Sequence, residues 1–244
     1  MPNSWFQFKQ FRIEQDRCAM KVSTDACIQG AWAARQMQHL FPGDAPVRLL
    51  DIGTGTGLLS LMLAQEKDNV FIDAIELNEE AALQAAENFH ASSWSSRLTA
   101  RHISLSAHTG QGGTYDFIIC NPPFFHNQLG SEQQARHDAR HSTALDKETL
   151  AQAISALLDK EGYCCIMYPL SEWNDWLKTA DRHGLYPARV LMVQPGAGAA
   201  ANRMIGLFSG EAKTSATNTL VTYESKGSYS ASFRELLRPY YLAL

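Results

Sequence analysis

Apolar and polar positions alternate in blocks along the chain, and the blocks change period as they go. Residues 6–14 place aromatics at alternate positions, the two-residue repeat of a strand. Residues 22–40 are rich in alanine and read as a helix, with Thr24 or Asp25 as its N-cap. A loop over 41–46 precedes a short apolar strand at 47–52, which runs through a glycine turn into a helix. The next strand covers 70–76, and an alanine-rich helix covers 79–90. A weaker strand at 97–105 and a stronger one at 115–120 follow. The rest reads as helix 146–158, strand 163–168, helix 173–183, strands 188–193, 204–209 and 220–223, and a short helix within 230–240.

Strands alternating with helices predict an α/β fold: a mostly parallel sheet covered on both faces. No long helix separates the last two strands, which predicts an antiparallel pair at the end. The expected organisation is an N-terminal arm and helix over 1–45, packed on one catalytic domain over 46–244. The longest irregular segments are 104–114 and 122–145, and the second is long enough for a binding loop.

Composition narrows the class only a little. Of 244 residues, 45% are apolar and 19% charged, as in ordinary globular proteins, and the formal net charge is −4. A nucleic-acid partner therefore needs a local basic patch and not a bulk field. No long apolar run predicts a membrane span, and the N-terminus lacks the pattern of a signal peptide. The five cysteines, Cys18, Cys27, Cys120, Cys164 and Cys165, form no C-x-x-C pair. Their number and spacing argue against a disulfide framework and against zinc, and predict buried thiols in a cytoplasmic protein. No metal site is expected.

Two stretches carry candidate chemistry. The first is D-I-G-T-G-T-G at 51–57, where a strand meets a helix. Gly53, Gly55 and Gly57 permit backbone angles that other residues avoid and let a ligand approach the main chain. The dinucleotide fingerprint G-x-G-x-x-G needs glycine at 58, which is Leu58, so the turn suits a nucleoside better than a pyrophosphate. A bare β–α turn is the competing explanation. Glu76 closes the next strand, where a carboxylate can accept ribose hydroxyls; alone it would read as a solvated strand end. The second stretch is C-N-P-P-F-F at 120–125. Two prolines stop the ladder and hold an amide and aromatic rings rigidly at a strand's C-terminal end, where open α/β sheets bind ligands. A proline-rich turn beside the core is the plainer alternative.

The turn at 51–57 together with Glu76 resembles the class I S-adenosylmethionine-dependent methyltransferases. The resemblance implies a Rossmann-like, seven-stranded, mostly parallel sheet with a C-terminal antiparallel hairpin. It implies that Asp51, Gly53, Gly55, Gly57, Glu76, Leu77, Ser104 and Asn121 belong to the cofactor site. Where the family often has an acidic residue near the adenine, this chain has Ser104. Asn121-Pro122-Pro123-Phe124 resembles the [DNS]-P-P-[YFW] motif of amino-methyltransferases. An exocyclic amine is a poor nucleophile because its lone pair is conjugated. Two fixed acceptors, the Asn121 side-chain oxygen and the Pro122 carbonyl, would draw it toward tetrahedral geometry and stabilise the developing positive charge. Phe124 would offer a stacking face.

Residues 8–33 resemble the N-terminal signature of the bacterial tRNA1(Val) (adenine(37)-N6)-methyltransferases. The likeness continues through 51–65, 75–77, 121–125, 135–146 and 240–244. Departures are Ser23, where the family commonly has glycine, and Phe124, where tyrosine is common. The resemblance implies methylation of the adenine 3′ of the anticodon. Lys21 and Thr24 become candidates for the methionine end of the cofactor, although Lys21 reads equally well as a solvated helix-end charge and Asp25 as a cap. Arg136 and Arg140, four residues apart, would face tRNA phosphates, with His137, His141 and the arm residues Lys9, Arg12 and Arg17 as neighbours. A solvated charged loop is the alternative for each.

Rival functions stay in view. A protein-glutamine N5-methyltransferase uses the same N-P-P-F chemistry but usually carries a preceding helical domain, and only about 45 residues precede the glycine turn. An amino-methyltransferase acting on another RNA shares every motif. A DNA adenine methyltransferase usually has a target-recognition domain, for which there is no room. A non-catalytic nucleoside-binding module has no need of Asn121, and a nicotinamide oxidoreductase is opposed by the glycine spacing.

Overall fold

The computed structural model describes residues 3–123, 145–212 and 214–244. Its order is β1 (Trp5–Gln7), β2 (Arg12–Glu14), α1 (Thr24–Leu40), β3 (Val47–Ile52), α2 (Leu58–Glu66), β4 (Val70–Glu76) and α3 (Glu79–His90). Then come β5 (Leu98–His102), α4 (Leu105–Thr109), β6 (Tyr115–Cys120), α5 (Lys147–Leu157) and β7 (Leu158–Pro169). The chain closes with α6 (Leu170–Arg182), β8 (Tyr186–Gly196), β9 (Arg203–Ser209), β10 (Ala216–Ser225), β11 (Ser228–Tyr229) and α7 (Ala231–Leu237).

The main sheet runs β11-β10-β8-β9-β7-β6-β3-β4-β5. Seven adjoining strands, β8 to β5, are the expected Rossmann-like layer, and β10 and β11 extend the β8 edge. β9 pairs antiparallel with β8, with Val193 opposite Arg203, and with β7. The strands at 204–209 and 220–223 do not pair with each other, because β10 turns back to lie parallel beside β8; the C-terminal antiparallel hairpin is β10–β11. The expected N-terminal strand is a separate small hairpin, β1–β2. Ser23, not Thr24 or Asp25, caps α1: its backbone is extended, and its hydroxyl accepts from the Ala26 N–H at 3.2 Å. The 104–114 segment, expected to be irregular, holds α4, whose cap is Ser104.

Side-chain alternation along the strands splits the core in two. Leu49, Ala74, Phe117, Ile119 and Cys165 face one layer with α1, α2, α3 and α7. Leu50, Ile52, Ile118, Cys164 and Ile166 face the other with α4, α5 and α6. Neighbouring Cys164 and Cys165 thus point to opposite faces, as a pleated strand requires. All five cysteines are free and buried. The arm joins the first layer through Phe8, Phe11 and Ile13, and its Lys9 N–H bonds the Tyr240 carbonyl at 2.8 Å. Among the described residues no helix is long and apolar enough to cross a membrane.

Candidate active site

The position of the site follows from strand order. The chain builds β3, moves outward to β4 and β5, then returns to place β6 on the other side of β3. The crossovers leave β3 in opposite directions, so a crevice opens where their C-terminal ends part. Both motifs fall there: the glycine turn follows β3, and Asn121 follows β6. The cleft has a volume of about 890 Å³, in the range of small-molecule sites.

The glycine turn forms one wall. Gly53, Gly55 and Gly57 all have positive φ, at 69°, 54° and 81°. A Cβ on Gly53 or Gly55 would meet no atom within 4 Å, and both residues line the cleft. Gly57 differs: a Cβ there would lie 2.4 Å from the Phe89 ring, and the residue is absent from the lining. Its role is packing of α2 against α3. The turn is pinned by backbone bonds from Gly53 N–H and Thr54 N–H to the Ile75 carbonyl, at 2.9 and 3.1 Å. Asp51 lies beneath it, fully buried, and one carboxylate oxygen accepts from the Thr54 and Ser60 hydroxyls at 2.6 and 2.7 Å. Burial pushes the Asp51 carboxyl up to about 6 against these hydrogen bonds. Asp51 therefore supports the turn from below and does not reach the cleft.

Glu76 stands at the end of β4, and each carboxylate oxygen accepts one backbone N–H at 3.0 Å, from Gly55 and from Asn78. It ties the turn to the start of α3 and lines the cleft beside Leu77. Ser104 also lines it, with Ile103 and Leu105, and its hydroxyl is committed to capping α4 through the Ala107 N–H. The arm supplies the facing wall: Arg17, Cys18, Ala19 and Met20. Burial, with the Glu76 charge adding, pushes the Cys18 thiol up to about 11, so it stays neutral and unreactive near pH 7.

Asn121, Pro122 and Pro123 form the other end. Among the described residues the Asn121 Oδ1 atom is buried and has no hydrogen-bond partner. An unpaired buried acceptor costs about 1–3 kcal/mol. Asp146 and Thr149 complete the rim. The Thr149 backbone N–H and hydroxyl hold the Asp146 carboxyl below the usual carboxylate range.

Gly53, Gly55, Glu76, Leu77, Ser104, Asn121 and Pro122 are thus brought together around one space. Lys21 and Thr24 are not. Lys21 is exposed with its ammonium 3.3 Å from the Asn3 carbonyl, and Thr24 opens α1. The arm cations are engaged: Lys9 with the Arg238 carbonyl, Arg12 with Glu14, Arg17 with Glu87. Phe124, Arg136 and Arg140 lie outside the described residues, as do His137 and His141. Sequence reasoning did not find the arm wall, Asp146, Thr149, or Gln29, a buried α1 residue whose amide donates to the Cys120 carbonyl at 2.8 Å. The arm carried one usable signal, an uncapped coil of small and mixed residues between β2 and α1.

Comparison with known proteins comes to the same place. The family described as "Methyltransferase small domain" matches residues 33–151. A tRNA1(Val) (adenine(37)-N6)-methyltransferase of Christiangramia forsetii is 37% identical, covering 100% of both chains. Its counterpart from Dyadobacter fermentans is 40% identical over 98% of each. Among solved structures, a "predicted O-methyltransferase" from Agrobacterium tumefaciens superposes with a TM-score of 0.64 at 14% identity, covering 88% of this chain and 95% of the other. A SAM-dependent methyltransferase from the same organism gives 0.56 at 11% identity, with 83% and 68% covered. At such identities these two speak for the fold alone.

Proposed function

The chain belongs to the family of tRNA1(Val) (adenine(37)-N6)-methyltransferases, and from that premise we propose that it transfers a methyl group from S-adenosylmethionine to N6 of adenine 37 in tRNA1(Val). The observation that carries this reading is the buried, unpartnered Asn121 Oδ1 at the mouth of the crevice between β3 and β6.

The residues present fit the cofactor. Gly53 and Gly55 offer bare backbone to its methionine half. Each Glu76 oxygen carries one backbone bond, and a carboxylate has about four acceptor positions, so two stay available to ribose hydroxyls. Leu77, Ile103 and Leu105 give apolar surface for a base, and Ser104 sits among them. When bound, S-adenosylmethionine supplies an electrophilic methyl group.

The chain's own part is to present the amine. Asn121 Oδ1 accepts one N6–H and the Pro122 carbonyl the other, which weakens conjugation of the lone pair and stabilises the positive charge formed on nitrogen. Pro122 and Pro123 keep these acceptors from relaxing. Phe124 stacks on the base. No strong base is required, because the methylated ammonium is acidic and water takes its proton. Arg136 and Arg140 hold anticodon-loop phosphates while the adenine is swung out. The protein then works in the cytoplasm, where tRNA and cofactor meet.

The test is a methyl-transfer assay on unmodified tRNA followed by nucleoside mass analysis. The expected product is N6-methyladenosine in tRNA1(Val). Cofactor binding without any methylated adenosine overturns the RNA assignment and moves the acceptor to another amide or amine.

A further inference from the structure

Gln29 is a polar residue in an apolar place. It lies on α1 with no exposed surface, within a helix whose neighbouring residues, Ile28 to Ala34, are also buried. Its Nε2 donates to the Cys120 carbonyl at 2.8 Å, 91 residues along the chain. Its Oε1 is buried with no hydrogen-bond partner among the described residues. Half of the amide is therefore poorly used. A methionine or leucine would fill similar space without that cost. Stability alone does not account for a glutamine here.

The place it touches supplies a reason. Cys120 is the last residue of β6, and Asn121 follows directly. Pro122 and Pro123 have no N–H, so the strand cannot continue its ladder past this point. The peptide joining Cys120 to Asn121 is rigid and planar, so fixing its carbonyl fixes the plane from which the Asn121 side chain departs. Cys120 is still paired with Ile52 and Ile166 in the sheet, and α1 adds a tether from outside it. Gly30, next in the helix, lets α1 close on α2: a Cβ there would lie 2.6 Å from the Met62 sulfur. The Asp25–Arg203 ion pair at 2.9 Å joins the first turn of α1 to β9.

We infer that Gln29 is a positioning residue for methyl transfer, aiming the Asn121–Pro122 acceptor pair through the Cys120 carbonyl. The inference rests on the functional reading above. It makes the N-terminal helix part of the reaction geometry and not only a cover for the sheet. The donor is what matters. A buried glutamic acid at this position would be held neutral by desolvation and could donate its O–H to the same carbonyl.

The experiment compares Gln29→Met and Gln29→Leu with Gln29→Glu, in the full-length enzyme, on unmodified tRNA. The two apolar variants are used so that loss of fold in one leaves the other readable, with S-adenosylmethionine titration reporting an intact cofactor site. The expected result is a fall in kcat of roughly ten- to a hundredfold, the scale of a small misplacement of reacting groups. The KM for S-adenosylmethionine stays unchanged, and Gln29→Glu recovers most of the rate. Wild-type kcat in a folded apolar variant overturns the inference. So does an equal loss in Gln29→Glu, since the donor would then be irrelevant. A wild-type enzyme that forms no methyladenosine, or an Asn121→Ala variant that turns over normally, would instead indict the functional reading itself.

Discussion

The two ends of the cleft are built on opposite principles. At the glycine turn most polar groups are answered from within the chain, the second oxygen of Asp51, Oδ1, being the exception. Gly53 and Thr54 bond to Ile75, Gly55 and Asn78 bond to Glu76, and Thr54 and Ser60 bond to Asp51. At the β6 end the Asn121 oxygen is buried and answered by no group among the described residues. The first end is a finished floor whose shape exists before any ligand arrives. The second is an acceptor that, in the proposed reaction, takes its partner from the substrate. Binding and chemistry are thus separable by position, and substitutions at the two ends should fail in different ways.

The largest effect is expected from Asn121→Ala. Removing one of two acceptors for the reacting amine should lower kcat by about a hundred- to a thousandfold, the usual cost of losing a group aimed at developing charge. The affinity for S-adenosylmethionine should hold, because Asn121 contributes nothing to the turn. Rapid-mixing single-turnover rates with equilibrium titration separate the two quantities. Near-normal turnover would dissolve the contrast between the ends.

Gly57→Ala should fail through the fold. Its Cβ would enter the Phe89 ring at 2.4 Å from a backbone at φ 81°. Overpacking and left-handed strain together should cost about 2–4 kcal/mol in urea unfolding. Gly55→Ala, with open space around it, should lose only the strain, about 1–2 kcal/mol. Equal losses would mean that Phe89 yields easily.

Glu76→Ala should act on binding. It removes the proposed ribose acceptor and frees the Gly55 N–H, so the cofactor dissociation constant should rise by about ten- to a hundredfold, the scale of a lost charged hydrogen bond. Once saturated, the variant should turn over at near wild-type kcat. A variant that binds normally would take Glu76 out of the site.

How far each region was legible in the sequence follows the same division. The turn, Glu76 and Asn121 announce themselves because glycine frees and proline fixes the backbone at their own positions, and such signals are local. The antiparallel pairing of β9 with β7 and the parallel return of β10 depend on pairing between distant strands, which connection length alone does not determine. Gly57 looked like its neighbours because its distinguishing partner, Phe89, is brought in only when α3 packs on the turn. Gln29 left no mark at all. One glutamine in an alanine-rich helix reads as a surface residue until the helix is laid under β6.

Asp51 gives the smallest and most diagnostic effect, because it tests whether the floor is finished at a cost. Its carboxyl titrates at about 6 in the folded protein against an ordinary value of 3.8. The native state therefore binds the proton more tightly than the unfolded chain does. The stabilisation this gives is fully present below pH 3.8 and is lost as pH rises through about 6. Between pH 5 and pH 7 the loss should be about 1 kcal/mol from this one group. Asn at this position keeps an oxygen that can accept from Thr54 and Ser60, but it carries no titrating proton. Asp51→Asn should therefore flatten the stability profile over that window when wild type and variant are unfolded in urea at matched pH. Parallel profiles would show that the carboxylate is relieved by solvent or by a rearrangement of the turn, and that the glycine end is less rigid than its hydrogen bonds imply.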